Sequence, residues 1–262
     1  MIRGLFTSAS GMTSQQFLID TIANNLANVN TNGFKKIRVD FQDLLYQTIR
    51  PAGSSVDTST RVPSGIQVGH GSRVADTQRI FSQGNFRLTE NPLDLVIEGD
   101  GFFKLLLADG TEVYTRDGSY TLDENGQMVN SDGYILQPSI TIPEDAVDIA
   151  VGRDGTVSVR LAGATDTTDV GQILLTDFIN PAGLKAIGQN LFEETTASGA
   201  PIESTPGLDG LGELASGFLE SSNVSVVEEL VQLIIGQRAY EVNAKVVQTA
   251  DEMLQTANNI KR

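Results

Sequence analysis

The stretch VSVVEELVQLIIGQRAYEVNAKVVQTADEMLQTANNI, residues 224–260, decides the fold. Within it Val224, Val227, Val231, Ile235, Ala239, Val242, Val246, Ala250, Met253, Ala257 and Ile260 step by three or four residues throughout, the spacing that keeps apolar side chains on one side of an α-helix. The spacing predicts a single long helix reaching residue 260. Its start carries Ser225-x-x-Glu228, a capping box in which each side chain satisfies the other residue's free backbone N–H.

The same period recurs at the other end of the chain. Leu5, Ala9, Met12, Ile19, Ala23 and Leu26, with Ile22 and Val29 beside them, predict a helix over about residues 3–29. Asn24, Asn25, Asn28, Asn30 and Asn32 then accumulate, a poor composition for a helix interior. The helix is expected to end near Asn30 with Gly33 in the following turn, the amides of Asn24, Asn25 and Asn28 serving its end or meeting a neighbouring chain. Stripes this long point to helix-on-helix packing. An intramolecular hairpin of the two helices and a coiled-coil-like seam with other chains both satisfy the period.

Between the helices the signal changes to short β-type runs separated by turn dipeptides: Asp109-Gly110, Asp117-Gly118, Asn125-Gly126, Asp132-Gly133 and Asp154-Gly155. Such pairs tolerate the positive φ of tight hairpin turns, and the first four fall at the spacing of a β-meander. Strands are expected at Leu93 to Glu98, Phe102 to Leu107, Thr111 to Thr115, Tyr134 to Gln137, Val147 to Val151, Thr156 to Leu161 and Gln172 to Phe178. A further strand around Phe41 to Tyr46 precedes PAGSSVDTSTRVPSGIQVGHGS, residues 51–72, which reads as a long loop or an extended hairpin arm. The fold class is therefore α+β: two long terminal helices pairing as a coiled-coil-like domain (1–35 with 222–262), a connecting region with the arm (36–75), and an outer all-β domain (76–221).

Charge follows the same division. The chain of 262 residues carries a formal net charge of −15, and residues 1–50, 51–220 and 221–262 contribute +2, −16 and −1. Strong acidity disfavours both nucleic acid and anionic lipid as partners, and no apolar window is long enough to insert in a membrane. With no cysteine, disulfides, iron–sulfur centres and thiol catalysis are excluded. His70, the one histidine, lies between Gly69 and Gly71 and reads as a turn residue; it is a poor candidate for a base or a metal ligand. The aspartates of the meander mostly sit in Asx-Gly turns, where the short carboxylate caps its own backbone, so neither a metal site nor a paired-carboxylate active site is expected. No enzyme, no cofactor and no metal follow from the residues.

Four long motifs then resemble the bacterial flagellar rod and hook proteins, in that family's order: ANNLANVNTNGFK (23–35), SQGNFRLTENPLDLVIEGDGFF (82–103), YTRDGSYTLDENGQMVNSDGY (114–134) and SSNVSVVEELVQLIIGQRAYEVNAKVVQTADEML (221–254). Within the family, the total length and the arm ending VPSGIQVGHGSR (62–73) look like the distal rod type, with Val62 where Leu is common; a hook or proximal rod component is the alternative within the family. A secreted acidic β-domain enzyme or carbohydrate binder is the alternative from another class.

The resemblance implies a non-enzymatic subunit, exported by the flagellar type III apparatus without a cleaved signal peptide. Such a subunit polymerises as a rigid helical tube in the periplasmic part of the basal body, passing torque from motor to hook. Implied partners are further copies of itself, the proximal rod and hook proteins, the P- and L-ring bushing proteins and the export apparatus. Expected subunit-packing positions are Leu5, Met12, Ile19, Ile22 and Leu26 near the N-terminus and Val231, Ile235, Val242, Val246 and Met253 near the C-terminus. The arm positions Pro63, Ser64, Gly65, Ile66, Gln67, Val68, Gly69 and Arg73 are the expected rigidity element.

Overall fold

The computed structural model describes residues 2–52, 63–163 and 166–260. The chain divides into two compact units, one of residues 1–26, 37–78 and 225–262, the other of residues 27–36 and 79–224.

The first unit holds both helices, α1 (Ile2–Ala27) and α2 (Val226–Ile260). α1 stops two residues short of the expected end, inside the asparagine-rich segment. α2 begins with Glu228 and Glu229 in its first turn, where carboxylates favour the positive end of the helix dipole, and the Ser225 carbonyl accepts the Glu229 N–H at 3.0 Å. The helices pair antiparallel: Asn25 meets Glu229, Ile19 lies beside Gly236, and Gly11 lies beside Asn243. Small residues set the approach. A Cβ on Gly236 would stand 3.4 Å from Ile19 Cγ1, and one on Gly11 would stand 3.0 Å from Asn243 Nδ2.

A long two-stranded ribbon completes this unit. Strand Ile37–Asp43 pairs with Ser72–Arg79, and Tyr46–Arg50 pairs antiparallel with Ile66–Gly69, with Tyr46 opposite Gly69 and Arg50 opposite Ile66. The Leu44 N–H donates to the Gly71 carbonyl at 2.8 Å between the two pairings. The strand expected over 41–46 is thus two strands interrupted at Leu44 and Leu45. The arm takes the extended form, and its residues 53–62 lie outside the described residues. At the ribbon's base Gly71, at φ 105°, packs directly on Ser10 of α1, leaving no room for a side chain.

The second unit is β throughout, apart from a short 3₁₀ turn at Pro181–Gly183. Strand Phe102–Leu106 is central: it is flanked by Glu112–Thr115 on one side and Ile135–Gln137 on the other, and Leu175–Asp177 also pairs with it. Alternation of its side chains feeds two clusters. Phe103 and Leu105 enter a large aliphatic core with Leu95, Ile97, Tyr120, Met128 and Leu136, while Phe102 joins Tyr114, Phe178 and Phe192 in edge-to-face contacts, centroids 4.8–6.0 Å apart. All seven expected strands of this region are present within a few residues.

The expected meander is corrected in two places. Strand Ile135–Gln137 returns to pair with Phe102–Leu106, so the order across the sheet is not sequential. Asp117-Gly118 makes no hairpin: the Gly118 carbonyl accepts the Leu95 N–H at 2.9 Å, and Asp117 is bonded to Ser119, which bridges to Asp94. Asp109, Asp123 and Asp154 do cap their turns, and the groups donating to them hold their carboxyls below the usual range, chiefly the Thr111 N–H for Asp109, the Gln127 N–H for Asp123 and the Thr156 hydroxyl for Asp154.

Candidate assembly site

The helical pair uses a face of α2 that overlaps the stripe that reveals it in the sequence only at its edge, at Ala250. Glu229, Gly236 and Ala250 are buried and Leu233, Asn243 and Val247 half-buried, at alternating steps of three and four or their sum. On α1, Ser8, Ile22 and Asn25 are buried and Gly11, Gln15 and Leu18 half-buried, while Ser14 is buried with its Oγ 3.3 Å from Ser72 Oγ of the ribbon. The seam is rich in small and polar side chains. The large aliphatic side chains of α2 lie elsewhere: Val231, Ile235, Val242, Val246 and Met253 are all exposed, Val242 at 63%. At roughly 100° per residue this stripe lies about 115° around the helix from the seam. α2 is therefore apolar on two faces, and only one is covered within the chain.

The remaining candidate positions are distributed as follows. On α1, Ile22 is buried and Leu5, Met12, Ile19 and Leu26 are half-buried. Along the ribbon, Pro63, Ser64, Gly65, Ile66 and Gln67 are exposed, Val68 and Gly69 half-buried, and Arg73 exposed with Nη2 3.4 Å from Gln42 Oε1. The ribbon's own apolar side chains face outward, Leu45 at 87% exposure and Ile49 at 59%. Asn28 Oδ1 accepts from the Thr31 hydroxyl at 3.2 Å, and Asn24 is exposed.

Asn25 has its amide fully engaged within the chain. Its Oδ1 accepts the Ile37 N–H at 2.9 Å, and its Nδ2 donates to the Ile37 carbonyl at 2.9 Å and to Glu229 Oε2 at 3.2 Å. One side chain thereby ties α1 to the root of the ribbon and to the first turn of α2.

A second polar centre, which the sequence reading missed, lies within the β unit, where segments 27–36 and 220–224 converge. Lys35, at 1% exposure, donates from Nζ to Glu220 Oε1 at 2.7 Å and to the Ser82 carbonyl at 2.9 Å. Glu220 Oε1 also accepts the Gly84 N–H at 2.8 Å, and the Glu220 carbonyl accepts the Gly33 N–H at 2.8 Å. Arg116 is buried beside them, its Nη2 donating to the Gly99 carbonyl at 2.6 Å and its guanidinium 5.8 Å from the centre of the Phe102 ring. Asn223 completes the junction, accepting the Lys36 N–H at 2.7 Å and donating to the Ile80 and Ser82 carbonyls. Desolvation, reinforced by Arg116, lowers the Lys35 ammonium from 10.5 to about 8 against the opposing pull of Glu220. Lys35 stood in the quoted motif NGFK, and Gly33 beside it was the available signal: at φ 66° its Cβ would lie 2.7 Å from the Arg116 carbonyl carbon.

The chain is 53% identical to the flagellar basal-body rod protein FlgG of Borreliella burgdorferi over the whole length of both. It belongs to the FlgG family of flagellar basal-body rod proteins. The FlgG proteins of Caulobacter vibrioides and Bacillus subtilis are 49% and 43% identical, over 99% and 100% of this chain and all of theirs. Residues 5–35 match the family described as flagella basal body rod protein, residues 96–159 the flagellar hook protein FlgE/F/G D1 domain, and residues 215–260 the flagellar basal body rod FlgEFG protein C-terminal family.

FlgG proteins are structural components of the flagellum, so the chain is a rod protein and not an enzyme. Among the described residues no group of three or more potential ligands is placed to hold a metal ion. No helix among them is long and apolar enough to cross a membrane.

Proposed function

We propose that the chain polymerises as the subunit of the distal rod, a straight helical tube in the periplasmic part of the basal body that carries torque from motor to hook. The observation that carries this is the uncovered aliphatic stripe of α2 on a chain related end to end to FlgG proteins. In water such a stripe costs about 25 cal/mol for each Å² left exposed, and packing against further copies removes that cost. Terminal helices then form the inner layer as a coiled-coil-like assembly domain, and the acidic β unit forms the outer one. Torque passes through many such contacts and through no single residue.

The arm around Pro63 to Arg73 serves as the rigidity element. An isolated two-stranded hairpin is marginal in water, and this one exposes Leu45, Tyr46, Ile49 and Ile66, so its apolar side chains are suited to bracing an adjacent subunit. The proximal rod proteins, the hook protein and the P- and L-ring proteins meet the tube at its ends and outer wall. Delivery is by the flagellar type III apparatus without signal cleavage. Electron microscopy of the concentrated protein tests the reading: straight tubes are expected, and a chain that stays monomeric at every concentration refutes it. Removing the arm is expected to give tubes that bend, and stiff tubes after that deletion would refute the bracing role.

A further inference from the structure

Between residues 79 and 224 the chain has seven lysines and arginines: Arg79, Arg87, Lys104, Arg116, Arg153, Arg160 and Lys185. All but the first two lie within 3.9 Å of a carboxylate oxygen, and Arg87 donates to Asn32 Oδ1 at 3.2 Å. Arg79 alone of the seven, among the described residues, has no hydrogen-bonded or ionic partner for its guanidinium. It is half-buried at the end of strand Ser72–Arg79, its Cζ 5.3 Å from the centre of the Phe192 ring and 5.9 Å from that of Phe34. Both rings are buried, and the Ile80 N–H, donating to the Lys36 carbonyl at 2.9 Å, fixes the backbone beside them. The ring faces steady the positive charge but leave its N–H donors without an acceptor. Burial lowers the guanidinium from its ordinary value, and no carboxylate opposes that effect.

Resting on the polymer reading above, we infer that Arg79 receives a carboxylate from the β unit of a second copy, in a contact separate from that of the helices. A guanidinium presents parallel N–H groups that match a carboxylate in pairs, and one already held against two fixed rings loses little further freedom when it binds. The chemistry of the partner follows from charge. Residues 51–220 carry −16, so β units brought side by side in a polymer repel one another, and a cation at their contact offsets that repulsion. Five of the seven cations are already neutralised within the chain, whereas Arg79 has its charge free for this. A free oxyanion matches the same fork, but the field of so acidic a chain keeps small anions away. A carboxylate carried by a neighbouring copy is instead held at the site by the rest of the assembly.

Two measurements on the full chain test this. Arg79→Met lays an apolar side chain across the same rings and removes the charge. Its thermal midpoint is expected to equal or exceed that of the unmodified chain, because a half-buried unpaired cation is lost, while the concentration at which tubes first form is expected to rise by about tenfold. An unchanged threshold would make Arg79 an anchor within the β unit and overturn the inference. Where Arg79→Met also loses stability, the second measurement decides. Isotope-labelled Arg79→Lys is grown into tubes with an excess of unlabelled, unmodified chain and treated with a carbodiimide, which joins an amine to a carboxylate in contact with it, with loss of water. Mass spectrometry is expected to find the amine at position 79 joined to an Asp or Glu between residues 79 and 224 of an unlabelled chain. A link to a carboxylate of the labelled chain itself, or no link, would overturn the inference and leave the polymer reading intact. Tubes that form only when inorganic phosphate is added, with no link at position 79, would assign the site to a free anion instead. Failure of the unmodified chain to form tubes under any condition would remove the polymer reading and the inference with it.

Discussion

Lys35 Nζ lies 2.7 Å from Glu220 Oε1, across 185 residues of sequence, with both side chains out of contact with solvent. The pair closes the β unit where its first and last segments meet. A buried ion pair contributes little net stability against apolar alternatives, but removing one partner strands the other charge, at a cost of about 3–5 kcal/mol. Glu220→Ala strands both Lys35 and Arg116 and is expected to destabilise the β unit by that amount. Urea titration followed by near-ultraviolet dichroism of the buried Tyr114 and Tyr120 reads it, and a loss under about 1 kcal/mol would show the cluster to be dispensable.

The same burial sets a pH dependence. Lys35 titrates at about 8 in the folded chain and at 10.5 unfolded. Between these values the unfolded chain binds more protons, so the β unit is expected to gain stability as pH rises, by at most about 1.4 kcal/mol per unit. Below pH 8 both states are protonated and Lys35 contributes no slope. Lys35→Met is expected to abolish the slope between about pH 8 and 10; an unchanged slope in that variant would assign it to another group.

Asn25 makes a graded test of the helical junction. Asn25→Ala leaves the Ile37 peptide and Glu229 with lost partners, each buried group costing about 1–3 kcal/mol. Asn25→Asp is expected to be worse, because it replaces the donor to Glu229 with a like charge at 3.2 Å, and the double variant with Glu229→Gln is expected to recover part of the loss. Thermal unfolding followed by helical dichroism measures all three, and equal destabilisation by Ala and Asp would deny the charge contact.

These contrasts show which parts of the molecule sequence makes legible. Periodicity exposes α1 and α2 because both are long and striped, and Asx-Gly pairs expose the turns at Gly110, Gly126, Gly133 and Gly155, all with positive φ. Periodicity does not say which face is covered. On α2 most of the large apolar positions that dominate the pattern are uncovered, while the seam mixes Leu233, Val247 and Ala250 with Gly236, Asn243 and Glu229, which carry no hydrophobic signal. Asp117-Gly118 reads as a turn but packs against Leu95, a distinction made by tertiary contact alone. The Lys35 cluster is invisible for a related reason: a lone lysine reads as a surface residue until its partner, far along the chain, is placed beside it.

Two glycines divide by backbone conformation. Gly236 is helical, and a Cβ there would meet Ile19 Cγ1 at an ordinary 3.4 Å, so Gly236→Ala is expected to stabilise the helical pair by about 0.5–1 kcal/mol through reduced chain entropy. Gly33 combines φ 66° with backbone of Arg116 and Asp117 at 2.7 Å. Gly33→Ala is therefore expected to destabilise the β unit by more than about 2 kcal/mol. Thermal melts of the two variants are expected to move in opposite directions, and a shared direction would contradict the placement of one of them.

Val246→Asp separates folding from assembly. The side chain is 42% exposed on the uncovered stripe, so its replacement is expected to change the unfolding free energy far less than the core substitution at Ile22, by about 0.5 kcal/mol. In the polymer the same carboxylate would lie in an apolar contact repeated at every subunit, where an unpaired charge cannot be accommodated. Tubes are expected to be absent and cells carrying the variant to be non-motile, although the purified chain keeps its full dichroism spectrum. Ile22→Asp supplies the opposite case: Ile22 is 3% exposed in the seam, and its substitution is expected to loosen the helical pair before any assembly question arises. Normal motility in Val246→Asp cells would refute the packing role of the stripe, and unfolding of the isolated Val246→Asp chain would show that the stripe serves the subunit itself.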